Sequence, residues 1–241
     1  FKGNILMENK IISFDKISKC SHCGKDLHFK LYPIFNLQDL TEEEFTNLFE
    51  LKTFKIECEQ CKKTTIVQYD TIVVDMYKKY IIYVYTSGSI NSFKTSTADV
   101  ISKMFKLDEK MTESFKTIKN FRIVTNLNDM LEKMLIFDYD LDDRVIECVK
   151  YQAIKTYLDK NIGTNYKLYF NKIDKTDLVF TAIQNDTNNK KTPIILSAPL
   201  EYYNFFIDNT NIKKLDNSEF TLIDTEWMLK NIKIEVEMKN V

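Results

Sequence analysis

Two short cysteine-containing stretches decide the fold: Cys20-Ser-His-Cys23-Gly24 and Cys58-Glu-Gln-Cys61-Lys62. In each stretch two residues separate the thiols, so one tight turn directs both sulfur atoms at a single point. Two such turns supply four thiolates, which complete the tetrahedral coordination of a Zn²⁺ ion. Gly24 stands where the turn favours a residue that tolerates a positive φ angle, and Lys62 occupies the matching position in the second pair. The sequence therefore predicts a zinc site with four ligands, Cys20, Cys23, Cys58 and Cys61.

Two other roles of these cysteines compete with the metal site. In the first alternative the cysteines are four unrelated buried thiols. In the second they form a dithiol redox centre, which usually lies at a strand-to-helix turn. Both pairs instead lie between strand-like segments. The separation of Cys23 and Cys58 exceeds the ~15–20 residues common in compact zinc ribbons, which indicates a helix between them. Thr41-Glu-Glu-Glu44 has the pattern of a capping box at its start. The only histidines, His22 and His28, are not needed as ligands beside four cysteines.

Charge and composition exclude several classes of protein. The net charge is −1, so no global field attracts nucleic acid or membrane. The segment 16–65 carries 8 Lys, no Arg and 8 Asp plus Glu, and its formal charge is zero. The sequence has no signal peptide and no long uncharged apolar run, which favours a cytoplasmic protein without a membrane segment. Cys148 is expected to be a buried free thiol. Phe1–Leu6 precede Met7, and we expect these residues to be a remnant of an expression vector.

The rest of the chain predicts strands, two core helices and a smaller C-terminal region. Thr71–Tyr85 is expected to form two strands with a turn near Lys78. Apolar residues at helical spacing predict one helix after Asn126 and a second from about Leu141. The fold class is therefore α+β, with a zinc-ribbon-like four-cysteine site, an antiparallel sheet and two core helices, followed by a small mixed α/β part. The expected domains are 7–160, which binds zinc, and 161–241.

Within the C-terminal region the predictions concern individual segments. Tyr166–Ile173 and Leu178–Ile183 are expected to pair as strands, and Phe220–Ile223 is also strand-like. Leu200–Asn209 is compatible with either a strand or a helix. Asp224 is placed to cap a closing helix that contains Trp227. Further expectations are a helix end at Asn161–Gly163, a hairpin tip at Asn185–Lys191 and a third strand at Thr192–Leu196.

Arginine is rare in this chain, because only Arg122 and Arg144 occur among 34 basic residues. Where arginine is retained in a lysine-rich sequence, a planar bidentate donor is a plausible requirement. We expect Arg144 to pair with a carboxylate and to fix the second core helix. Asp140 and Glu147 are the local candidates, and a carboxylate from the cysteine-containing half is the alternative.

Three stretches together resemble the CpXC-domain family of bacteria and archaea. They are Cys20–Phe49, Phe54–Ile81 and Arg122–Glu147, and the resemblance covers roughly Lys16–Lys155. Ser21 stands where the family name implies proline, and Val74 stands where the family often has histidine. The family is functionally uncharacterised, so the resemblance implies a fold and a metal but no activity.

Three functions are compatible with such a sequence. The sequence favours a zinc-stabilised interaction module with an unidentified protein partner and a structural metal, because four thiolates leave no open position for catalysis. The first alternative is a nucleic-acid-binding zinc ribbon, in which Lys62, Lys63, Lys78, Lys79, Tyr80 and Tyr83 interleave charge and stacking. The second is an enzyme that uses an acidic cluster, namely Asp138, Asp140, Asp142, Asp143 and Glu147. The oligomeric state is not predicted.

Overall fold

The protein is described by a computed structural model over residues 12–93, 95–107, 114–158, 166–184 and 193–235. The chain divides into two compact units, Phe1–Leu127 and Asn128–Val241. The architecture is α+β, as predicted. The domain boundary expected at residue 160 stays a prediction, because a compact unit and a family domain need not end at the same residue. The expectations for Phe1–Leu6, Asn161–Gly163 and Asn185–Lys191 lie outside the described residues.

The first unit contains two β-hairpins whose turns hold the cysteine pairs. Strands β1 (Phe14–Lys19) and β2 (Asp26–Leu31) pair antiparallel around the first cysteine pair. Strands β4 (Lys55–Glu57) and β5 (Thr64–Ile66) do the same around the second. Both pairs therefore occupy strand-to-strand turns, which is the location expected of a zinc knuckle rather than of a redox dithiol.

A four-stranded sheet lies between and after these hairpins in the sequence. Its strands are β3 (Ile34–Asn36), β6 (Thr71–Asp75), β7 (Tyr80–Val84) and β8 (Asn120–Val124). The order is β3-β6-β7-β8; β6 and β7 pair antiparallel, whereas the two outer pairings are parallel. The predicted pair of strands with a turn near Lys78 is confirmed. Lys79 in this turn has a φ angle of 60°.

Two helices complete the first unit. The predicted helix between the cysteine pairs is α1 (Glu42–Phe49), and its capping box forms as expected between Thr41 and Glu44. The Thr41 side chain accepts a hydrogen bond from the Glu44 backbone, while the Glu44 carboxylate accepts one from the Thr41 backbone. Helix α2 (Thr97–Leu107) and a 3-10 turn (Ser114–Thr117) precede β8. The capping box is local chemistry, which is why the sequence predicts it correctly.

The second unit is organised around two helices, α3 (Leu127–Asp138) and α4 (Asp143–Ala153). Helix α4 continues as one π-helical turn, Ile154–Leu158. Every residue from Asp143 to Lys150 is buried, so α4 is covered on all sides for two turns. A helix in this position is a central core element rather than an amphipathic surface helix.

The remaining elements of the second unit pack around α4. Strands β9 (Tyr166–Asp174), β10 (Asp177–Gln184) and β11 (Ile194–Pro199) form an antiparallel sheet in the order β11-β10-β9. Leu200–Asn209 is a helix, α5, and Asp224 caps α6 (Thr225–Asn231) as predicted. The strand predicted at Phe220–Ile223 is not formed, and only Thr221 within it makes a β-bridge. The carbonyl of Ile223 at the end of this segment accepts a hydrogen bond from the Lys133 side chain.

Candidate metal centre

The two hairpin turns bring four sulfur atoms together. The Sγ atoms of Cys20 and Cys61 lie 3.8 Å apart, those of Cys23 and Cys58 lie 3.7 Å apart, and all four lie within 4.8 Å of one another. A tetrahedral site with zinc–sulfur distances of about 2.3 Å has sulfur–sulfur edges of about 3.8 Å. A disulfide bond has a length of about 2.05 Å. The cysteines are therefore free thiols whose spacing fits one tetrahedral metal ion.

Both turns use the same backbone hydrogen bonds to position their cysteines. The Cys20 amide donates to the Lys25 carbonyl at 2.8 Å, and the Gly24 amide donates to the Cys20 carbonyl at 2.9 Å. In the second turn the Cys58 amide donates to the Lys63 carbonyl at 3.0 Å, and the Lys62 amide donates to the Cys58 carbonyl at 2.8 Å. The two turns therefore have the same backbone geometry, although the residues between and after their cysteines differ.

The fifth position of each turn adopts the left-handed conformation. Gly24 has a φ angle of 70° and Lys62 has a φ angle of 57°. The correspondence predicted between these two residues is present in their backbones. Lysine carries a Cβ atom that disfavours this conformation by ~1–2 kcal/mol, whereas glycine does not. The second turn is therefore the more strained of the two.

The environment of the sulfurs sets their pKa values in opposite directions. The pKa of Cys20 is lowered to about 6, mainly because the His22 backbone amide donates to its sulfur at 3.5 Å. For Cys23, a backbone hydrogen bond from Lys25 favours the thiolate, but burial and the neighbouring sulfurs outweigh it and raise the pKa to about 11. Metal binding to such a set releases protons, so the affinity depends on pH.

The cysteine cluster rests on a small apolar core. Cys20, Leu27 and Cys58 are buried together, and Ile56 and Val67 pack against them. Below this core, aromatic rings connect the hairpins to the sheet of the first unit. The rings of Phe35 and Phe54 have centroids 6.0 Å apart, and Phe54 and Tyr69 are 5.3 Å apart. The position of the four sulfur atoms is therefore coupled to the packing of the first unit.

The two histidines do not join the cluster. Within the described ranges, the residues grouped closely enough to hold a metal ion are the four cysteines alone. His22 and His28 are both exposed, and His22 contributes its backbone amide rather than its imidazole. Cys148 is buried far along the chain in α4, where burial raises the pKa of its thiol to about 12. This agrees with the expectation of a buried free thiol.

Sequence reasoning missed a buried network of charged side chains in the second unit. Its five members, all less than 8 % exposed, come from α3 and α4: Glu132, Lys133, Asp143, Glu147 and Lys150. The nearest signal was in α3, where Lys133 lies at helical spacing from Met130 and Phe137 and so shares their apolar face. Charges at core positions of a helix indicate internal pairing, because isolated charges are rarely buried.

The contacts within this ion network are short. Lys150 Nζ lies 2.7 Å from Glu132 and 2.8 Å from Glu147. Lys133 Nζ lies 2.8 Å from Asp143 and donates to the Ile223 carbonyl at 3.0 Å. Burial, partly offset by Lys150, raises the pKa of Glu132. With three acids and two lysines, a proton on Glu132 makes the network neutral.

Arg144 makes the predicted bidentate contact, but with a different carboxylate. Its Nε lies 2.9 Å from Asp142 Oδ1, and its Nη2 lies 2.6 Å from Asp142 Oδ2. The proposed partners Asp140 and Glu147 are wrong, because Asp142 precedes the helix and its side chain folds back over the first turn. Asp142 also caps α4 by accepting from the Arg144 amide. Arg144 is 8 % exposed and donates to the Leu215 carbonyl, so it fixes α4 to a later segment.

The acidic cluster proposed for an enzyme is largely engaged in structural contacts. Asp142 pairs with Arg144, Asp143 pairs with Lys133, and Glu147 pairs with Lys150. Asp140 has a φ angle of 55° and ends α3, and the Leu141 amide next to it donates back to the Ile136 carbonyl. This is the hydrogen-bond pattern of a Schellman motif. The side chains of Asp142, Asp143 and Glu147, together with the backbone of Asp140, therefore stabilise the helix junction.

The fold buries part of the lysine and tyrosine surface that the sequence suggested for nucleic-acid stacking. Tyr80 is 2 % exposed, so its ring is unavailable to a base. Tyr83 is partly buried and packs against Phe93 with a centroid distance of 5.5 Å. The interleaving of lysine and tyrosine seen in the sequence does not produce a continuous stacking surface.

The fold and the sulfur cluster define an α+β protein with four cysteines that lie close enough together to hold one metal ion. Residues 18–150 match the family described as CpXC protein. The match covers more than half of the chain, and the protein belongs to this family. Comparison with curated proteins and with solved structures gave no match. Among the described residues, no helix combines the length and the apolar character that a membrane crossing requires.

Proposed function

We propose that the four cysteines bind one Zn²⁺ ion and that this ion stabilises the first unit rather than catalysing a reaction. The sulfur tetrahedron is the observation that supports this proposal. Four thiolates fill the coordination sphere, whereas a catalytic zinc site keeps one position for water or substrate. Soft thiolate ligands also favour zinc over magnesium or calcium. A cytoplasmic location agrees with this chemistry, since thiolates persist in a reducing compartment.

The test of the structural role is a single ligand substitution. Cys58 is fully buried, and its sulfur lies 3.7 Å from that of Cys23. Cys58→Ser removes one of four ligands, and metal-binding energy in such sites is folding energy. We expect loss of cooperative unfolding in the first unit, measured by circular dichroism. Cys148→Ser, outside the site, is the matched control. A Cys58→Ser protein that unfolds like the parent contradicts a structural role.

We further propose that the first unit is an interaction module for a protein partner. Its hairpins expose large apolar side chains: Phe14 is 48 % exposed, Ile17 is 63 % exposed and Ile66 is 51 % exposed. The segment 16–65, which contains Ile17 and lies between Phe14 and Ile66 in the sequence, has no net charge. An apolar, uncharged surface suits a protein partner better than the phosphates of a nucleic acid.

The interaction role is tested by comparing two surface substitutions of equal exposure. Ile17→Asp alters the first hairpin, whereas Ile195→Asp alters β11 of the second unit at a site that is 62 % exposed. Each protein is used to capture partners from cells of the source organism, followed by quantitative mass spectrometry. We expect a partner that the parent and Ile195→Asp retain and Ile17→Asp loses. If every captured protein is retained equally by all three, the proposed interaction surface is wrong.

A further inference from the structure

Helix α1 of the first unit leaves two aromatic rings exposed, one helical turn apart. Phe45 is 40 % exposed and Phe49 is 36 % exposed, whereas Leu48 is fully buried and anchors the helix. The centroids of the two phenylalanine rings lie 6.1 Å apart, and the ring planes are inclined by 16°. Single exposed apolar residues are ordinary, but aromatic side chains are enriched where proteins bind one another. The paired rings therefore indicate a contact surface.

Two glutamates lie beside these rings in the first turn of α1. Glu42 precedes Phe45 by three residues and Phe49 by seven, so it shares their side of the helix, and Glu43 lies next to it. Both carboxylates are exposed, and neither forms an ion pair or a hydrogen bond within the part of the chain that the structure describes. Acidic residues in a first turn also stabilise the helix, but that role does not need exposed rings beside them. We call Glu42, Glu43, Phe45 and Phe49 the acidic-aromatic face.

The other charges near α1 do not neutralise this face. Glu50, at the end of the helix, forms an ion pair with Lys52 at 2.5 Å. Glu44 and Lys30 line a groove on another side of the helix, and the lining of that groove contains no residue of the acidic-aromatic face. The segment 41–55 has four glutamates and two lysines, so its formal charge is −2. The acidic-aromatic face is therefore locally negative.

We propose that the acidic-aromatic face binds a basic segment of a protein partner, in which lysine or arginine alternates with apolar residues. The cations of that segment pair with Glu42 and Glu43 through charge-assisted hydrogen bonds. They also lie over the rings of Phe45 and Phe49, and the apolar residues cover the rest of the exposed ring surface. The same negative charge repels nucleic acids and anionic membranes. The face shares no residue with the apolar hairpin surface proposed above, so the two proposals fail separately.

The experiment is a fluorescence anisotropy titration of the zinc-loaded full chain with two fluorescein-labelled peptides. The basic peptide is Lys-Leu-Arg-Lys-Leu-Arg-Lys-Leu, and its acidic counterpart is Glu-Leu-Asp-Glu-Leu-Asp-Glu-Leu. We expect the basic peptide to bind at least about tenfold more tightly, because only its charges complement the face. Raising NaCl from about 50 to about 300 mM should weaken that binding, since salt screens exposed charge pairs.

Two substitutions test whether both parts of the face take part. The double variant Glu42→Gln with Glu43→Gln should weaken binding of the basic peptide by about three- to tenfold. Its matched control is Glu201→Gln with Glu226→Gln, which removes two exposed acids from the first turns of α5 and α6 and should leave the Kd unchanged. Phe45→Leu keeps an apolar side chain but removes a ring, and should weaken binding by about two- to fivefold.

Four outcomes overturn the proposal. The first is equal affinity for the two peptides or tighter binding of the acidic one, which would indicate an anionic partner. The second is an equal loss of affinity in the two double variants, because the basic peptide would then respond to net charge alone. The third is an unchanged Kd in Phe45→Leu, which would remove the aromatic part. The fourth is no binding of the basic peptide at millimolar concentration.

Discussion

The buried ion network gives the sharpest prediction about the second unit. Lys150 supplies the positive charge between Glu132 and Glu147, with contacts of 2.7 and 2.8 Å. Lys150→Met keeps an unbranched side chain of similar length but removes that charge. Breaking a buried ion pair by removing one partner costs ~3–5 kcal/mol, because the remaining charge is left uncompensated. We expect Lys150→Met to destabilise the second unit by about this amount.

The assay uses the single tryptophan of the chain. Trp227 lies in α6 of the second unit, so its fluorescence reports unfolding of that unit. With a urea slope near ~2 kcal/mol per M, the predicted loss moves the midpoint by roughly 2 M. Lys172→Met is the matched control, because Lys172 forms a 3.3 Å ion pair on the surface with a side chain that is 53 % exposed. Such exposed pairs contribute ~0–1 kcal/mol.

A double substitution separates the charge effect from a packing effect. Lys150→Met with Glu147→Gln removes one positive and one negative charge and leaves Lys133 paired with Asp143. We expect the double variant to recover much of the stability lost in Lys150→Met. Equal midpoints for Lys150→Met and Lys172→Met would refute the reasoning, since the network would then contribute nothing beyond a surface pair.

Three further predictions concern single residues. Residues 62 and 24 both need a positive φ angle, which glycine adopts more easily than other residues. Measured by circular dichroism, Lys62→Gly should therefore raise the stability of the metal-loaded first unit by about 0.5–1 kcal/mol, and Gly24→Ala should lower it by about 1–2 kcal/mol. Changes of the opposite sign would contradict the strain argument. Arg144→Lys should lower the free energy of unfolding of the second unit by ~1–3 kcal/mol, because lysine cannot form the bidentate contact with Asp142. Trp227 fluorescence measures this loss, and a urea midpoint equal to that of Lys172→Arg would contradict the prediction. The raised pKa of Glu132 stabilises the fold fully below about pH 4.5, and this stabilisation is lost as pH rises through the folded-state pKa. Glu132→Gln, measured by urea titration across pH, should therefore gain stability relative to the parent as pH rises, and a constant difference would contradict the proposed proton.

The parts of the structure that follow local chemistry were predictable from sequence. The cysteine turns depend on residues five positions apart, and the capping box of Thr41 and Glu44 depends on residues three positions apart. The cap at Asp224 is equally local. In each case the residues that define the structure are close in the chain, so no knowledge of the tertiary fold was needed.

The parts that depend on tertiary packing were not predictable. The sequence shows that Glu132 and Lys150 are charged, but only the packing of α3 against α4 and β9 places both in the core. The partner of Arg144 was misassigned because the helical spacing rule assumes that both residues lie inside the helix. Asp142 lies one residue before it. Leu200–Asn209 was ambiguous because its aromatic residues suit either a strand or a helix.

The central claim is that four thiolates hold one zinc ion, and metal content tests it most directly. Protein purified without chelator is analysed by inductively coupled plasma mass spectrometry, together with mass spectrometry of the intact chain. We expect about one zinc per chain in the parent, with all five cysteines reduced, and a loss of zinc in Cys58→Ser. A metal-free protein with a disulfide between Cys20 and Cys23 or between Cys58 and Cys61 would contradict the claim.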